Sequence, residues 1–336
     1  MEFLKRVSDF SLRLAARAYG GLTALDRATR RSQRLPYPTV SVGNIAVGGR
    51  AKTPMTVEVC RRLKDRGFRP VVLTRGYGRV DARALWLRPT LAPEAPSEIL
   101  DLAKNEILAA KIDRAALAGD EALEISEEAT CDVLVGARRA ENAQAYLRIQ
   151  ATERPEGVRR TVFVLDDGFQ HWSLERDLDI VMVRAEDFTD SVLPRGRLRE
   201  KPEALKRADL VLELGRDVFK RSRLPENFPS DDEAAKQELL VVTTRAPDPD
   251  FLLELERVLG ARPFRLLTLA DHADARTMRA ALAPHAGPIL VGGKEHAKLA
   301  GFEDLKLVRL HLDLEFGDGG ARLERAFDRL MGGRAP

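Results

Sequence analysis

The sequence predicts the α/β class: a parallel β-sheet flanked by helices, joined to a second, smaller α/β lobe and preceded by an amphipathic helix. Three observations support this. Short apolar runs rich in Val, Leu and Ile alternate with helical stretches along most of the 336 residues. One run, Thr39-Val40-Ser41-Val42, opens into a glycine-bearing loop and then a helix. Another, Thr161–Leu165, ends in two adjacent carboxylates, Asp166 and Asp167.

In chain order, Phe3, Val7, Phe10, Leu14, Ala18, Leu22 and Leu25 recur at three- and four-residue steps and share one helical face. Residues 1–34 hold eight Lys/Arg against three acids, so the segment reads as a basic amphipathic helix. Such a helix lies in a headgroup layer or packs on the protein's own core. Lys5, Arg6, Asp9, Arg13 and Arg17 interrupt it too often for a bilayer span or a secretory signal. After a stiff Leu35-Pro36-Tyr37-Pro38 connector and the first strand, Pro54–Arg66 is expected to be helical, with Gly67 as its stop.

The run Val71–Thr74 leads to a second glycine loop, Arg75-Gly76-Tyr77-Gly78-Arg79. A helix is expected from Ser97 to about Lys111. Further strands are expected at Val133–Val135, Thr161–Leu165, Ile180–Val183, Leu210–Leu214, Leu239–Thr243, Arg265–Leu269, Ile289–Val291 and Val308–Phe316. The charged stretch 216–238, with Pro225 and Pro229, reads as a hinge. The expected organisation is therefore a helix over 1–34, a larger lobe over 35–218 and a smaller one over 219–336.

A net charge of +3 gives no electrostatic case for nucleic acid. Cys60 and Cys131 show neither metal-ligand spacing nor a disulfide framework, which suits a reducing compartment such as the cytoplasm.

The segment from Gly43 to Pro54 has the setting of a phosphate-binding loop. There, successive backbone N–H groups and a helix N-terminus face an anion, a lysine reaches the outer phosphates and a hydroxyl ligates Mg²⁺. Lys52 and Thr53 suit the last two roles, and Gly48, Gly49, Arg50 and Ala51 would line the phosphates. This makes the predicted fold P-loop NTPase-like. The standard pattern wants glycine at positions 46 and 51, where this chain has alanine, so a plain strand–turn–helix with an exposed lysine also fits the segment taken alone. The block Asp166-Asp167-Gly168-Phe169-Gln170-His171 is sharper: carboxylates at the carboxyl end of a buried strand hold Mg²⁺ or its water shell.

At these residues the chain resembles the tetraacyldisaccharide 4'-kinases of lipid A synthesis. The resemblance rests on Val42-Gly43-Asn44, Thr74–Arg79, Gly119-Asp120-Glu121-Ala122, Asp166–His171 and Leu193–Glu200, in the family's order. Asp271-His272 and Lys294 with Lys298-Leu299 extend it more thinly into the second lobe. It implies transfer of the γ-phosphoryl group of ATP to the 4'-hydroxyl of a tetraacylated disaccharide 1-phosphate, with ATP and Mg²⁺ in a cleft between the lobes. It also implies a peripheral place on the cytoplasmic face of the inner membrane, with the membrane surface as partner and no nucleic acid or obligate protein partner.

Carried over residue by residue, the resemblance makes Asp120 the acceptor of the sugar hydroxyl proton, His272 its companion, and Lys52 and Arg199 the cations on the transferring phosphate. Thr53, Glu121, Asp166, Asp167 and Glu200 become metal-associated, with Gln170 and His171 lining the nucleotide site. Taken alone, Gly-Asp-Glu also reads as a helix start, Arg199-Glu200 as a surface ion pair and His272 as structural. Departures from the family are Ala51 for glycine, Arg50 for threonine, Ala122 for proline and Arg184 for aspartate. Alanine at position 51 costs roughly 1–2 kcal/mol if the backbone there is left-handed, with Arg50 read as offsetting charge beside the phosphates. The departures sustain an alternative: a catalytically impaired relative that binds nucleotide or lipid in a regulatory role.

Overall fold

The computed structural model describes residues 2–90, 97–108, 113–226, 228, 238–244, 247, 249–270 and 273–332. Its centre is a nine-stranded sheet of β1 (Thr39–Asn44), β2 (Arg69–Thr74), β3 (Leu85–Arg88), β4 (Glu98–Asp101), β5 (Glu106–Ile107), β6 (Asp132–Val135), β7 (Thr161–Asp166), β8 (Leu178–Val183) and β9 (Leu210–Glu213). The spatial order is β5-β4-β3-β6-β2-β7-β1-β8-β9. The six strands from β6 to β9 in that order run parallel, and β3, β4 and β5 extend the edge antiparallel. Every residue of β1, β7 and β8 is buried, as expected of parallel strands covered on both faces.

The helices follow from which side chains must be covered. On one face α2 (Lys52–Asp65) and α4 (Asp120–Ala129) bring Met55, Leu63 and Leu123 against Val40, Val42 and Val164. A short α3 (Arg114–Ala118) leads into α4. On the other face α5 (Arg139–Glu153) packs Ala143 and Tyr146 against Phe163, Leu165 and Trp86. The brief α6 (Pro155–Val158) returns the chain to β7.

The helix expected from Ser97 to about Lys111 is instead β4 and β5, with residues 109–111 outside the described set. The reason is a period of two: Ile99 enters the hydrophobic cluster on one face of the sheet and Leu100 the cluster on the other. Leu85, Trp86 and Leu87 alternate in the same way in the unanticipated β3. Sheet pairing overrides the helix propensity of the Leu- and Ala-containing segment.

A second, smaller sheet is fully parallel, in the order β12-β11-β13-β14, from β11 (Leu239–Thr243), β12 (Phe264–Thr268), β13 (Ile289–Val291) and β14 (Leu307–Arg309). Its helices are α7 (Pro249–Leu259), α8 (Ala275–Leu282) and α9 (Gly293–Leu299). The expected strand Val308–Phe316 breaks at Leu310, and β15 (His311–Phe316) leaves the small sheet to pair antiparallel with β10 (Val218–Arg223). The expected hinge therefore contains an ordered strand; residues 227 and 229–237 lie outside the described set. α10 (Asp318–Met331) sends Leu323, Ala326 and Phe327 into the larger sheet's core. The chain thus visits the smaller sheet and comes back.

At the amino end α1 (Glu2–Thr29) is one 28-residue helix. Of its expected apolar face, the side chains of Phe3, Val7, Phe10, Leu14 and Leu22 lie outside the described set, while Ala18 and Leu25 are exposed. Among the described residues no helix is long and apolar enough to cross a membrane.

Candidate active site

β1 delivers the loop 45–51 to the amino end of α2, beside β7 and its terminal carboxylates, with Val42 opposite Asp166. Close approach fixes one residue type here: a Cβ on Gly43 would fall 2.5 Å from the Phe169 Cβ. Ala51, just before the helix, has φ 53° and ψ 32°, so alanine occupies a left-handed position suited to glycine. No side chain caps this end of α2 and no acidic residue stands in its first turn, which leaves its N–H groups available to an anion. The loop is stitched to the segment carrying Arg199: the Val47 N–H donates to Arg197 O at 2.8 Å and the Arg199 N–H to Ile45 O at 2.6 Å.

The charge of Arg50 is taken up by a partner inside the protein. The side chain is buried, and its Nε and Nη2 donate to Asp187 Oδ2 and Oδ1 at 2.8 and 2.5 Å. Asp187 is fully enclosed, and the pair engages Nε and Nη2 of Arg50, while Nη1 lies toward Gly48 of the loop.

Lys52 Nζ lies 3.5 Å from Asp167 Oδ1, and Arg199 Nη1 donates to both Asp167 oxygens at 3.0 and 2.8 Å. Burial pushes the Asp167 pKa up, but Lys52 and Arg199 outweigh it and hold the carboxylate below its usual range. Asp166 behaves oppositely. It accepts from the Thr56 and Thr74 hydroxyls at 3.3 and 3.1 Å, and burial, with Glu121 and Asp167 nearby, raises its pKa to about 6. Gln170 Nε2 donates to the Asn44 carbonyl at 2.8 Å and to Glu200 at 3.0 Å. The other Glu200 oxygen accepts from Arg207 at 2.8 Å, so protein donors occupy both. His171 Nε2 sits 3.0 Å from Ser173 Oγ, and burial lowers its pKa to about 4, which keeps it neutral near pH 7.

Asp120 and Glu121 open α4, after Gly119 at φ 90°. Gly119 holds the cap position of α4, and no side chain caps that end. Asp120 Oδ1 accepts the Glu121 N–H at 2.9 Å, while Oδ2 faces Lys298 of α9 at 3.7 Å. Glu121 is ion-paired to Lys294, one turn earlier on α9. Glu124 presses on the start of the same helix, where a Cβ on Gly293 would meet its Oε1 at 2.4 Å. Burial raises the Glu124 pKa to about 7 despite Lys294 and Arg309. His272 lies outside the described residues.

The sequence reading missed Arg139, the first residue of α5. It is buried, Nη1 has no hydrogen-bond partner among the described residues, and burial lowers its pKa against the opposing pull of the Asp166 and Asp167 charges. An arginine at a helix start just beyond the apolar run 133–135 was the available signal. A separate cavity of about 350 Å³, lined by Phe68, Pro70, Trp86 and Asp132, opens at the amino ends of β2 and β6, away from this cluster.

A lysine and a hydroxyl at a loop–helix junction, beside paired carboxylates on the neighbouring parallel strand, mark an α/β protein whose charged groups gather at the carboxyl edge of its sheet, where such folds bind ligands. Comparison with known proteins makes the assignment specific: the chain belongs to the tetraacyldisaccharide-1-P 4'-kinase (LpxK) family, whose pattern matches residues 9–331. It is 34% identical over 219 residues to the tetraacyldisaccharide 4'-kinase of Dechloromonas aromatica (strain RCB), covering 65% of this chain and 56% of that one. It is 39% identical over 210 residues to that of Anaeromyxobacter dehalogenans (strain 2CP-C), covering 61% and 48%. The chain thus spans about half the length of these relatives. Its fold is similar to a crystal structure of LpxK from Aquifex aeolicus in complex with ATP, with a TM-score of 0.72 and 24% identity over 95% of this chain and 98% of that one.

Proposed function

We propose that the protein is an ATP-dependent kinase that transfers the γ-phosphoryl group to the 4'-hydroxyl of a tetraacylated glucosamine disaccharide 1-phosphate. The observation that carries this is the junction of Lys52, Asp167 and Arg199 at the uncapped amino end of α2. Phosphoryl transfer needs little covalent help and much positioning of charge. In this reading the amides of residues 48–53 cradle the phosphates. Lys52 and Arg199, now on Asp167, turn to the transferring group, with the unpartnered Nη1 of Arg139 behind them. Asp120 accepts the proton of the attacking hydroxyl, with His272 assigned beside it by resemblance alone.

Thr53, Asp166, Asp167 and Glu121 are the residues that would hold Mg²⁺ or its water shell. Bound there, the ion would neutralise phosphate charge. Burial first, and then the nearby Glu121 and Asp167, raise Asp166 to about 6, and a divalent cation would relieve the repulsive part of that. Among the described residues no three His, Cys, Asp or Glu side chains are grouped to hold a metal ion by themselves, so phosphate oxygens and water would have to complete the ion's shell. Glu200 accepts from Gln170 with one oxygen and from Arg207 with the other, so in this reading it holds Gln170 in place while its remaining lone pairs could face the ion's water shell.

The lipid acceptor draws α1 into the reading. Leu25, on the expected apolar face, is exposed on a helix that also carries Arg13, Arg17 and Arg27, a composition suited to peripheral binding at an anionic, cytoplasm-facing inner membrane. The test is to incubate the protein with γ-labelled ATP, Mg²⁺ and the acylated disaccharide 1-phosphate in detergent micelles. Labelled lipid heavier by one phosphate is expected from wild type and not from Lys52→Ala. ATP binding without product would favour the regulatory alternative.

A further inference from the structure

The left-handed alanine at position 51 and the buried arginine beside it form one unit. Residue 51 must adopt φ 53° for the chain to turn from the loop into α2. Alanine populates that region poorly. A loop left to itself would lose roughly five- to thirtyfold in the fraction holding this turn. Position 50 is where such a turn is best braced, because fixing its Cα and side chain fixes the peptide that enters residue 51.

Arg50 meets that requirement. Its bidentate pair with Asp187 is enclosed from solvent, and Asp187 is itself anchored, since its Oδ2 also accepts the Arg184 N–H at 3.0 Å and its own N–H donates to Arg184 O at 2.9 Å. Planar two-point pairs of this kind are strong and geometrically selective, and an enclosed one is little weakened by salt. The brace reaches the start of the loop as well: a Cβ at Gly48 would sit 3.8 Å from Arg50 Nη1.

We infer that Arg50 is a positioning residue, whose buried pair with Asp187 holds the phosphate loop in its anion-ready shape and compensates for alanine where glycine is the fitting residue. The inference rests on the reading of residues 48–53 as the ATP phosphate site. It assigns Arg50 no contact with the nucleotide side-on; the effect passes through the backbone at residue 51. The two departures from the usual loop are then a matched pair.

A two-background measurement tests this. Mg·ATP affinity of the full chain is determined by calorimetry for wild type, Arg50→Thr, Ala51→Gly and Arg50→Thr/Ala51→Gly. Arg50→Thr is expected to weaken binding about tenfold when residue 51 is alanine, since apparent affinity falls with the fraction of competent loop. With glycine at 51 the same change should cost less than about threefold, because the turn no longer needs bracing. Asp187→Asn keeps the side-chain shape and is expected to show the same background dependence at smaller size. Equal losses in the two backgrounds, or none in either, overturn the inference while leaving the ATP site standing. Wild type that binds no Mg·ATP removes that site and the inference with it.

Discussion

The phosphate loop and the amino end of α4 bring charge to the same place by different means. The loop is fixed within the larger sheet, by main-chain bonds to residues 197 and 199 and by the enclosed Arg50–Asp187 pair. Asp120 and Glu121 are held from outside, by Lys298 and Lys294 of a helix that belongs to the smaller sheet. Those pairs are only partly shielded, and such pairs contribute little and respond to salt. In the proposed reading the nucleotide half of the site is thus built in advance, whereas the acceptor half takes its arrangement from how the second sheet sits on α4.

The largest effect should come from the acceptor half. Asp120→Asn is expected to lower kcat by about 10²–10⁴-fold, the usual loss of a proton acceptor, while ATP affinity stays within a small factor. A comparable loss of ATP affinity would show that the two halves are not separable. The next effect is in stability. Glu124 has its folded pKa raised to about 7, so its contribution is complete at low pH and is lost as pH climbs through 7. Glu124→Gln should therefore match wild type in acid and exceed it by about 1–3 kcal/mol above about pH 8, read from urea melts across pH.

A smaller gain belongs to the loop. Ala51→Gly removes the left-handed penalty but adds glycine's unfolded-state entropy, for a net rise of about 0.5–1 kcal/mol, seen as a higher Tm. The smallest effect is in the pairs from α9. Lys294→Ala and Lys298→Ala should each cost about 0.2–1 kcal/mol, and high salt should erase the difference from wild type. A loss that persists in salt would mean these lysines are bound more tightly than their exposure implies.

That Lys52 would lie beside Asp166 and Asp167 was legible before the fold was known, because these groups sit in short contiguous runs. Lys52-Thr53 and Asp166–His171 each combine a buried strand with its terminal functional groups. Ala51 showed that a departure existed, but only the backbone angle decided its cost. Arg50 was misjudged because a charge beside a phosphate loop suggests the phosphate; its partner Asp187 lies 137 positions away, a separation no local pattern reveals. Arg139 was missed for a similar reason: the charges of Asp166 and Asp167 act on it only because β6 and β7 lie in one sheet with β2 between them. The strands at 85–88 and 98–101 were too short for their alternation to compete with helix propensity, and sheet pairing decided them.

Amide hydrogen exchange on the full chain, with Mg·ATP added first and the acylated disaccharide 1-phosphate second, tests the division most directly. Nucleotide alone should slow exchange at the amides of 48–53 and leave 120–124 unchanged, and the lipid should then protect 120–124. Unaltered exchange at 48–53 with saturating Mg·ATP would contradict a ready-made nucleotide half.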